Sequence, residues 1–333
     1  MKKKKIYKHY IGIDVSKNTM DYSILDSEGK IHLQGQFQNE KQSIAKWIKN
    51  LENAEDSLII FENTGIYSAL LGAKLSASGL DYSEVASLEI KRSQGITRGK
   101  TDKLDSLQIA RYGLRNLDKI TLNEEPELCY QKLQLLQAER EKIIASMKSF
   151  SRTKECELFY DSEVTKMLMK LNKKTIKHLE NQLKLIDKEI RMLIRSDEEL
   201  KEQQELLKSI PGVGEVISVY LLLVTRGFRR FKTWRKFACY SGVAPFEHSS
   251  GSSVRGRTKV SHFADKKMKS LLHLSVLTAI QHDKELEQYY ERKKAEGKHS
   301  LVVINAIKCK LLSRIFCVIN RKTPFVKTMN YAG

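Results

Sequence analysis

With 333 residues, 41% of them hydrophobic, the chain is long enough for two separately cored domains and is globular rather than disordered. No apolar run reaches the length of a membrane span, and the basic start from Met1 to Lys5 leads into a strand-like segment rather than an apolar signal core, so a cytoplasmic protein without a membrane partner is expected. The net charge of +19 is unevenly placed: residues 1–124 hold 19 basic and 16 acidic residues, 125–205 hold 16 and 16, and 206–333 hold 24 and 8. Such asymmetry suits a final third that neutralises phosphates; the plainer reading is a basic surface kept for solubility. Five cysteines, an odd count without a CxxC pair, argue against a disulfide framework or a zinc site and for buried free thiols.

The first region alternates strands and helices. Tyr10 to Val15 has the pattern of a buried strand, and Asp21 to Asp26 that of a second. After a turn at Ser27-Glu28-Gly29-Lys30, Ile31 to Phe37 alternates as a third. A helix is predicted from about Lys41 to Leu51. The apolar Leu58-Ile59-Ile60-Phe61 then forms a strand ending at Glu62. Another helix runs from about Tyr67 to Ser78, with Gly79 as its C-terminal cap. A strand at Tyr82 to Ala86 and a helix from near Asp102 to about Arg115 complete the region. The order βββαβαβα, opening on a three-stranded meander, is that of an α/β RNase H-like fold over residues 1–124.

The middle region, 125–205, changes period. Apolar residues recur at Val164, Leu168 and Leu171, then at Leu179, Leu183, Ile186, Ile190 and Leu193. The steps of three and four make a heptad stripe. Leu128 to Phe150 carries a similar one. Two long helices joined near Tyr160-Asp161-Ser162 predict an antiparallel or dimerising coiled coil; the competing reading is an ordinary helical hairpin. The last region, 206–333, is predicted mainly helical. It opens with Ile210-Pro211-Gly212-Val213-Gly214, then an apolar helix to Val224. A glycine- and serine-rich loop spans about His248 to Arg257, and helices follow at Lys266 to His282 and Leu301 to Asn320.

Four carboxylates stand out. Asp14 is at the end of the first strand and Glu62 at the end of the fourth; these strands are neighbours in an RNase H-like sheet, so both would project at one edge. Asp102 and Asp105 are three apart and share a helix face. Four converging carboxylates need a compensating charge, and oxygen-only ligands select Mg²⁺ or Mn²⁺. Taken singly, a strand-end Asp is often a turn former and Asp102 could be a helix cap. Asp21 and Asp26, in the meander, are expected to be solvated.

Two features of the basic region bear on nucleic acid. Pro211-Gly212-Val213-Gly214 between apolar helical segments reads as a helix-hairpin-helix: Gly212 and Gly214 would permit close backbone approach, with a helix N-terminus facing a phosphate. The alternative is a plain helical turn. In the serine loop, Arg255, Arg257 and Lys259 could orient a phosphate beside Ser250. By composition alone this is a flexible polar loop.

Together these residues resemble one family, the DEDD insertion-sequence transposases, bridge-RNA-guided recombinases with an N-terminal RuvC-like domain. The resemblance lies in Gly12-Ile13-Asp14-Val15-Ser16-Lys17, Glu62-Asn63-Thr64-Gly65-Ile66-Tyr67 and Lys100-Thr101-Asp102-Lys103-Leu104-Asp105. It extends to Ile210-Pro211-Gly212-Val213-Gly214 and to Tyr240-Ser241-Gly242-Val243-Ala244-Pro245 followed by Ser250-Gly251. It implies that Asp14, Glu62, Asp102 and Asp105 are a catalytic metal-binding tetrad. It also implies that Ser250 attacks DNA to give a covalent phosphoserine intermediate, Ser249, Ser252 and Ser253 being close competitors. The implied partners are donor and target double-stranded DNA, a structured noncoding guide RNA and further copies of the chain, as a dimer or tetramer, in a bacterial cytoplasm beside the nucleoid. The rival readings are a hydrolytic junction-resolving or repair nuclease using water, and a nucleic-acid-binding protein with a decayed nuclease fold.

Overall fold

The computed structural model describes residues 5–93, 102–123, 128–151, 162–250, 254–260 and 264–326; for Ile66, Asp102, Lys103 and residues 246–250 and 254–259 this description covers the backbone. Contacts divide the chain into two units, Met1–Pro126 and Glu127–Gly333.

The first unit is built on a five-stranded mixed sheet in the order β3-β2-β1-β4-β5. Strands β1 (His9–Val15), β2 (Thr19–Asp26) and β3 (Ile31–Gln38) form the antiparallel meander expected from the sequence. Strands β4 (Ser57–Glu62) and β5 (Tyr82–Val85) run parallel to β1, reached through helices α1 (Lys41–Lys49) and α2 (Ile66–Ala77). Gly79, at φ +66°, ends the turn after α2 in a conformation that favours glycine. Two further helices follow, α3 (Ser87–Ser93), which has no counterpart in the sequence reading, and α4 (Asp102–Arg115). This order is consistent with the RNase H-like expectation.

Both faces of the central strands are covered, so their alternation sorts side chains into two cores. Ile11, Ile13, Val15, Ile59 and Phe61 pack with Ile44 of α1 and Leu71 and Leu75 of α2. Tyr10, Leu58 and Ile60 pack with Leu107, Ile109 and Ala110 of α4. Gly12 lies on the α4 face, where the helix sits directly on the strand: a Cβ on Gly12 would stand 2.2 Å from both Ser106 O and Ala110 N.

The second unit is mainly helical. Helices α5 (Leu128–Ser151) and α6 (Glu163–Arg195) pack on each other, and the helical segment expected between two domains therefore lies inside this unit. Ser162 caps α6 by accepting from Thr165 N at 3.2 Å. Helix α7 (Glu198–Lys208) runs through the boundary expected between residues 205 and 206. The apolar α8 (Glu215–Thr225) is central to the core, which α9 (Trp234–Tyr240), α10 (Lys266–His282), α11 (Lys284–Ala295) and α12 (Ser300–Arg321) complete.

The expected serine loop is instead a hairpin of two antiparallel strands, β6 (Pro245–Ser250) and β7 (Val254–Val260). Pro245, which lacks a backbone N–H, stands at the first position of β6, where a proline is tolerated. Among the described residues no helix is long and apolar enough to cross a membrane. Cys129, Cys239, Cys309 and Cys317 are free thiols, as expected, but Cys317 is exposed and the other three are partly buried. Burial holds the Cys309 thiol above the usual range; Cys156 lies outside the described residues.

Candidate active site

The register of the sheet brings the first two carboxylates together. β1 and β4 pair in parallel through Ile13 and Phe61, so Asp14 and Glu62 are level one residue further on. Both lie on the α4 face, being two residues beyond Gly12 and Ile60 respectively. Asp14 is partly buried and engaged in a polar interaction. Glu62 Oε1 accepts a short hydrogen bond from Ser87 Oγ at the start of α3, a partner that sequence reasoning missed because α3 itself was missed.

Helix α4 runs antiparallel to β1, which decides where its acidic end falls. Its C-terminal part lies near the start of the strand: Leu114 Cδ2 is 3.3 Å from where a Cβ on Gly29 would be, and Gly29 N donates to the carbonyl of Asp26, the residue paired with His9. Ser106 sits over Gly12, with its Oγ 2.8 Å from Ser23 Oγ. The N-terminal turn, carrying Asp102 and Asp105, therefore lies at the sheet end that carries Asp14 and Glu62. Asp102 falls four residues before Ser106, on the stripe that continues through Ala110 and Gly113 and faces the sheet. Asp105 is partly buried beside it. Among the described residues no group of three or more His, Cys, Asp or Glu is arranged to hold a metal ion; the Asp102 side chain lies outside that description.

Asp21 departs from expectation. It is paired directly across from Asp14, on the same face, and is only 4% exposed rather than solvated. Gln36, its register partner on β3, donates from Nε2 to Asp21 Oδ2 at 2.9 Å. Gln36, Asp21, Asp14 and Glu62 thus make one row across four strands. Asp26 meets expectation: it lies in the meander turn and accepts from the backbone N–H of Glu28 and of Lys30, which holds its carboxyl below the usual range.

In the second unit, Ser250 is the last residue of β6 and pairs with Val254, so it stands at the turn end of the hairpin, away from the Pro245 foot. Ser249 pairs with Arg255, and Lys259 pairs with Phe246; Arg257 lies between them on β7. Gly251, Ser252 and Ser253 lie outside the described residues. The foot of the hairpin is fixed: Val243 O accepts from Asn305 Nδ2 at 2.8 Å. Asp265, just beyond β7, caps α10 through Met268 N at 2.8 Å and accepts from the hydroxyls of Tyr220 at 3.0 Å and Tyr240 at 3.3 Å. Burial, then the charge of Asp265, pushes both phenols above the usual tyrosine range.

The two glycines of the Pro211 turn are placed differently. Gly212, at φ +85°, is pressed against α10; a Cβ there would lie 2.3 Å from Ser275 O. Its close approach is to the protein's own backbone. Gly214 precedes α8 in open space, but the helix opens with Glu215, which pairs with Arg191 at 3.4 Å. A carboxylate in the first turn competes with an incoming anion for the helix N-terminus.

Comparison with known proteins gives two family matches and several relatives. Residues 11–155 match a family model of DEDD type, that of IS110, described as a transposase. Residues 204–291 match a second, described as the transposase IS116/IS110/IS902 family. The chain is similar to the pilin gene-inverting protein of Moraxella lacunata, 28% identical over 331 residues, covering 97% of this chain and 99% of the relative. The protein of the same description from Moraxella bovis shows the same identity and coverage. It is also similar to a 44.8 kDa protein of insertion element IS116 from Streptomyces clavuligerus, 24% identical over 147 residues, 44% of this chain and 35% of that one. The two family models fall on the sheet with its carboxylate row and on the helical unit with its serine hairpin, and the chain belongs to the IS110/IS116 family of transposases, enzymes that cut and rejoin DNA strands.

Proposed function

We propose that this transposase works through a carboxylate site formed by Asp14, Glu62, Asp102 and Asp105, with Ser250 as the nucleophile toward DNA. The observation that carries the reading is the register: Asp14 and Glu62 are level on adjacent strands, at the sheet end where α4 begins with Asp102 and Asp105. An oxygen-only donor set at one sheet edge suits Mg²⁺ or Mn²⁺ in chemistry. When bound, such ions supply charge neutralisation at the attacking and leaving oxygens of phosphoryl transfer. The protein's own contribution is positional. Gly12 lets α4 descend onto β1, Ser87 orients Glu62, and Ser23 with Ser106 pins the helix.

In the strand-cutting step, Ser250 Oγ bonds to a backbone phosphorus, and the ester to one deoxyribose oxygen breaks. The serine proton ends on that oxygen as a free hydroxyl. The phosphoserine ester keeps the bond energy, so a hydroxyl of another strand can displace the serine and rejoin the DNA without an added energy source. Relatives described as gene-inverting, over nearly their whole length, favour this closed cycle over hydrolysis, which would leave broken ends. Arg255, Arg257 and Lys259, on the strand paired with that of Ser250, would hold phosphates along the hairpin. With 24 basic and 8 acidic residues, the segment 206–333 suits long stretches of duplex DNA. A structured guide RNA and assembly into a dimer or tetramer belong to the same proposal.

Strand cleavage of a supercoiled plasmid bearing the element's ends tests the carboxylate site. Asp105→Ala, Asp14→Asn and Glu62→Gln should each abolish divalent-dependent cleavage. Undiminished cleavage by Asp105→Ala refutes the catalytic role of the tetrad. Sequencing of nucleic acid co-purified with the protein tests the RNA: a discrete transcript from beside the gene is expected, and random fragments would count against it.

A further inference from the structure

The four-carboxylate reading leaves one acidic group unused, and its setting is unusual. Asp21 is 4% exposed, yet no lysine, arginine or histidine pairs with it among the described residues. Among the described residues its hydrogen bond is from Gln36 Nε2 to Oδ2, at 2.9 Å. A carboxylate this closely covered, with one neutral amide as its donor, is costly to keep charged unless a cation lies near. Directly opposite, on the same face, stands Asp14, and like charges facing each other across an antiparallel pair are destabilising. The next row toward the strand interior shows how the same positions are filled where no ion is called for: Ser23 opposite Gly12, with Ser23 accepting from Gln34 at 2.7 Å and bonded to Ser106. There the polar row is closed by neutral hydroxyls and an amide. One step closer to the site, the chain has two carboxylates in that place.

We infer that Asp21 is a positioning residue for the divalent cation at Asp14: it adds negative charge beside that carboxylate and presents an oxygen to the hydration shell of the bound ion, with Gln36 fixing its orientation. The inference rests on the carboxylate site proposed above and adds a fifth member to it. Its role differs from that of the four. Asp21 acts through the ion's affinity rather than on the reacting phosphate, so its loss should raise the concentration of metal required and leave the rate at saturating metal little changed. Partners of this kind behind a metal ligand are worth about 10- to 100-fold in affinity.

The test uses the full-length protein and Mn²⁺ alone, with bound ion read from the loss of the free-ion electron paramagnetic resonance signal. Asp21→Asn should weaken Mn²⁺ binding about 10-fold or more and shift the Mg²⁺ dependence of plasmid cleavage by the same factor, with the rate at saturation within about threefold of wild type. Gln36→Ala, at an exposed position that the core does not depend on, should weaken Mn²⁺ binding at least threefold by releasing Asp21. Asp14→Asn serves as the reference and should remove the site. If Asp14→Asn removes it while Asp21→Asn leaves Mn²⁺ affinity and Mg²⁺ dependence unchanged, the inference is overturned and the carboxylate site stands. Should Asp21→Asn fail to fold, unchanged affinity in Gln36→Ala overturns it. If Asp14→Asn itself binds Mn²⁺ like wild type, the carboxylate site falls, and this inference with it.

Discussion

Replacing Gly12 by alanine tests the seating of α4 that brings the acidic residues to one sheet end. An added Cβ would stand 2.2 Å from Ser106 O and from Ala110 N, both main-chain atoms of a helix that cannot swing aside. Restoring an ordinary 3.4 Å contact needs the helix to withdraw by about 1.2 Å. Overpacking of this kind costs roughly 1–3 kcal/mol, and backbone on both sides puts Gly12→Ala at about 3. Gly72, in α2 of the same unit, supplies the control. Its added Cβ would meet Phe61 and Tyr82 only at 3.8 Å, an ordinary contact, and alanine gains up to about 1 kcal/mol in helix propensity. Gly72→Ala should therefore be as stable as the parent or up to about 1 kcal/mol more so. The chain has two tryptophans, so in a Trp234→Phe background the fluorescence of Trp47, stacked on Phe37, reports urea unfolding of the first unit. A displacement near 1 Å of the end carrying Asp102 and Asp105 should also cost about 100-fold in strand-cleavage rate at temperatures where the protein is folded. Equal stability of Gly12→Ala and the parent would show that α4 does not rest on β1 as described.

Four further outcomes follow from the second unit. Asp265→Ala removes the cap of α10 and leaves the Tyr220 and Tyr240 hydroxyls short of an acceptor; a loss of about 2–4 kcal/mol is expected in urea unfolding followed by Trp234 in a Trp47→Phe background. Because burial and Asp265 raise both phenols above the ordinary value of 10.0, the stability they contribute is complete below pH 10 and is lost as pH rises beyond it, so alkaline unfolding monitored at 295 nm should begin above pH 10 in this unit. Arg314→Met should cost about 3 kcal/mol by thermal melting, since it strands the carboxylate of Asp283, 8% exposed and 2.6 Å from the guanidinium. Duplex DNA binding should weaken about 10³-fold or more between 50 and 200 mM salt if six or more phosphates are contacted; a flat salt profile would refute the phosphate-tracking role of the basic segment.

Much of the first unit was legible because its signals are local. Leu58 to Phe61 is apolar throughout since both of its faces are covered, and Glu62 breaks the run where the strand reaches the edge. Asp102 and Asp105 could be grouped from helical spacing alone. The burial of Asp21 depends on pairing, not composition. The signal existed: Asp14 and Asp21 are equidistant from the Lys17-Asn18 turn, which fixes them as partners. The serine hairpin is not legible locally, because Gly251, Ser252 and Ser253 outweigh the alternation of Val254 to Val260 in any local count. At Gly212 the sequence shows that a glycine permits close approach but not to what; α10, more than fifty residues on, is what lies against it.

The measurement that bears most directly on the proposed chemistry is the capture of a protein–DNA adduct that survives denaturation, mapped by peptide mass. The account predicts a phosphodiester on Ser250 that requires a divalent cation, is lost in Ser250→Ala and Asp14→Asn, and persists in Ser249→Ala. Metal-dependent cleavage that leaves free ends and no adduct, with Ser250→Ala as active as wild type, would contradict it and make the carboxylate site a hydrolytic nuclease.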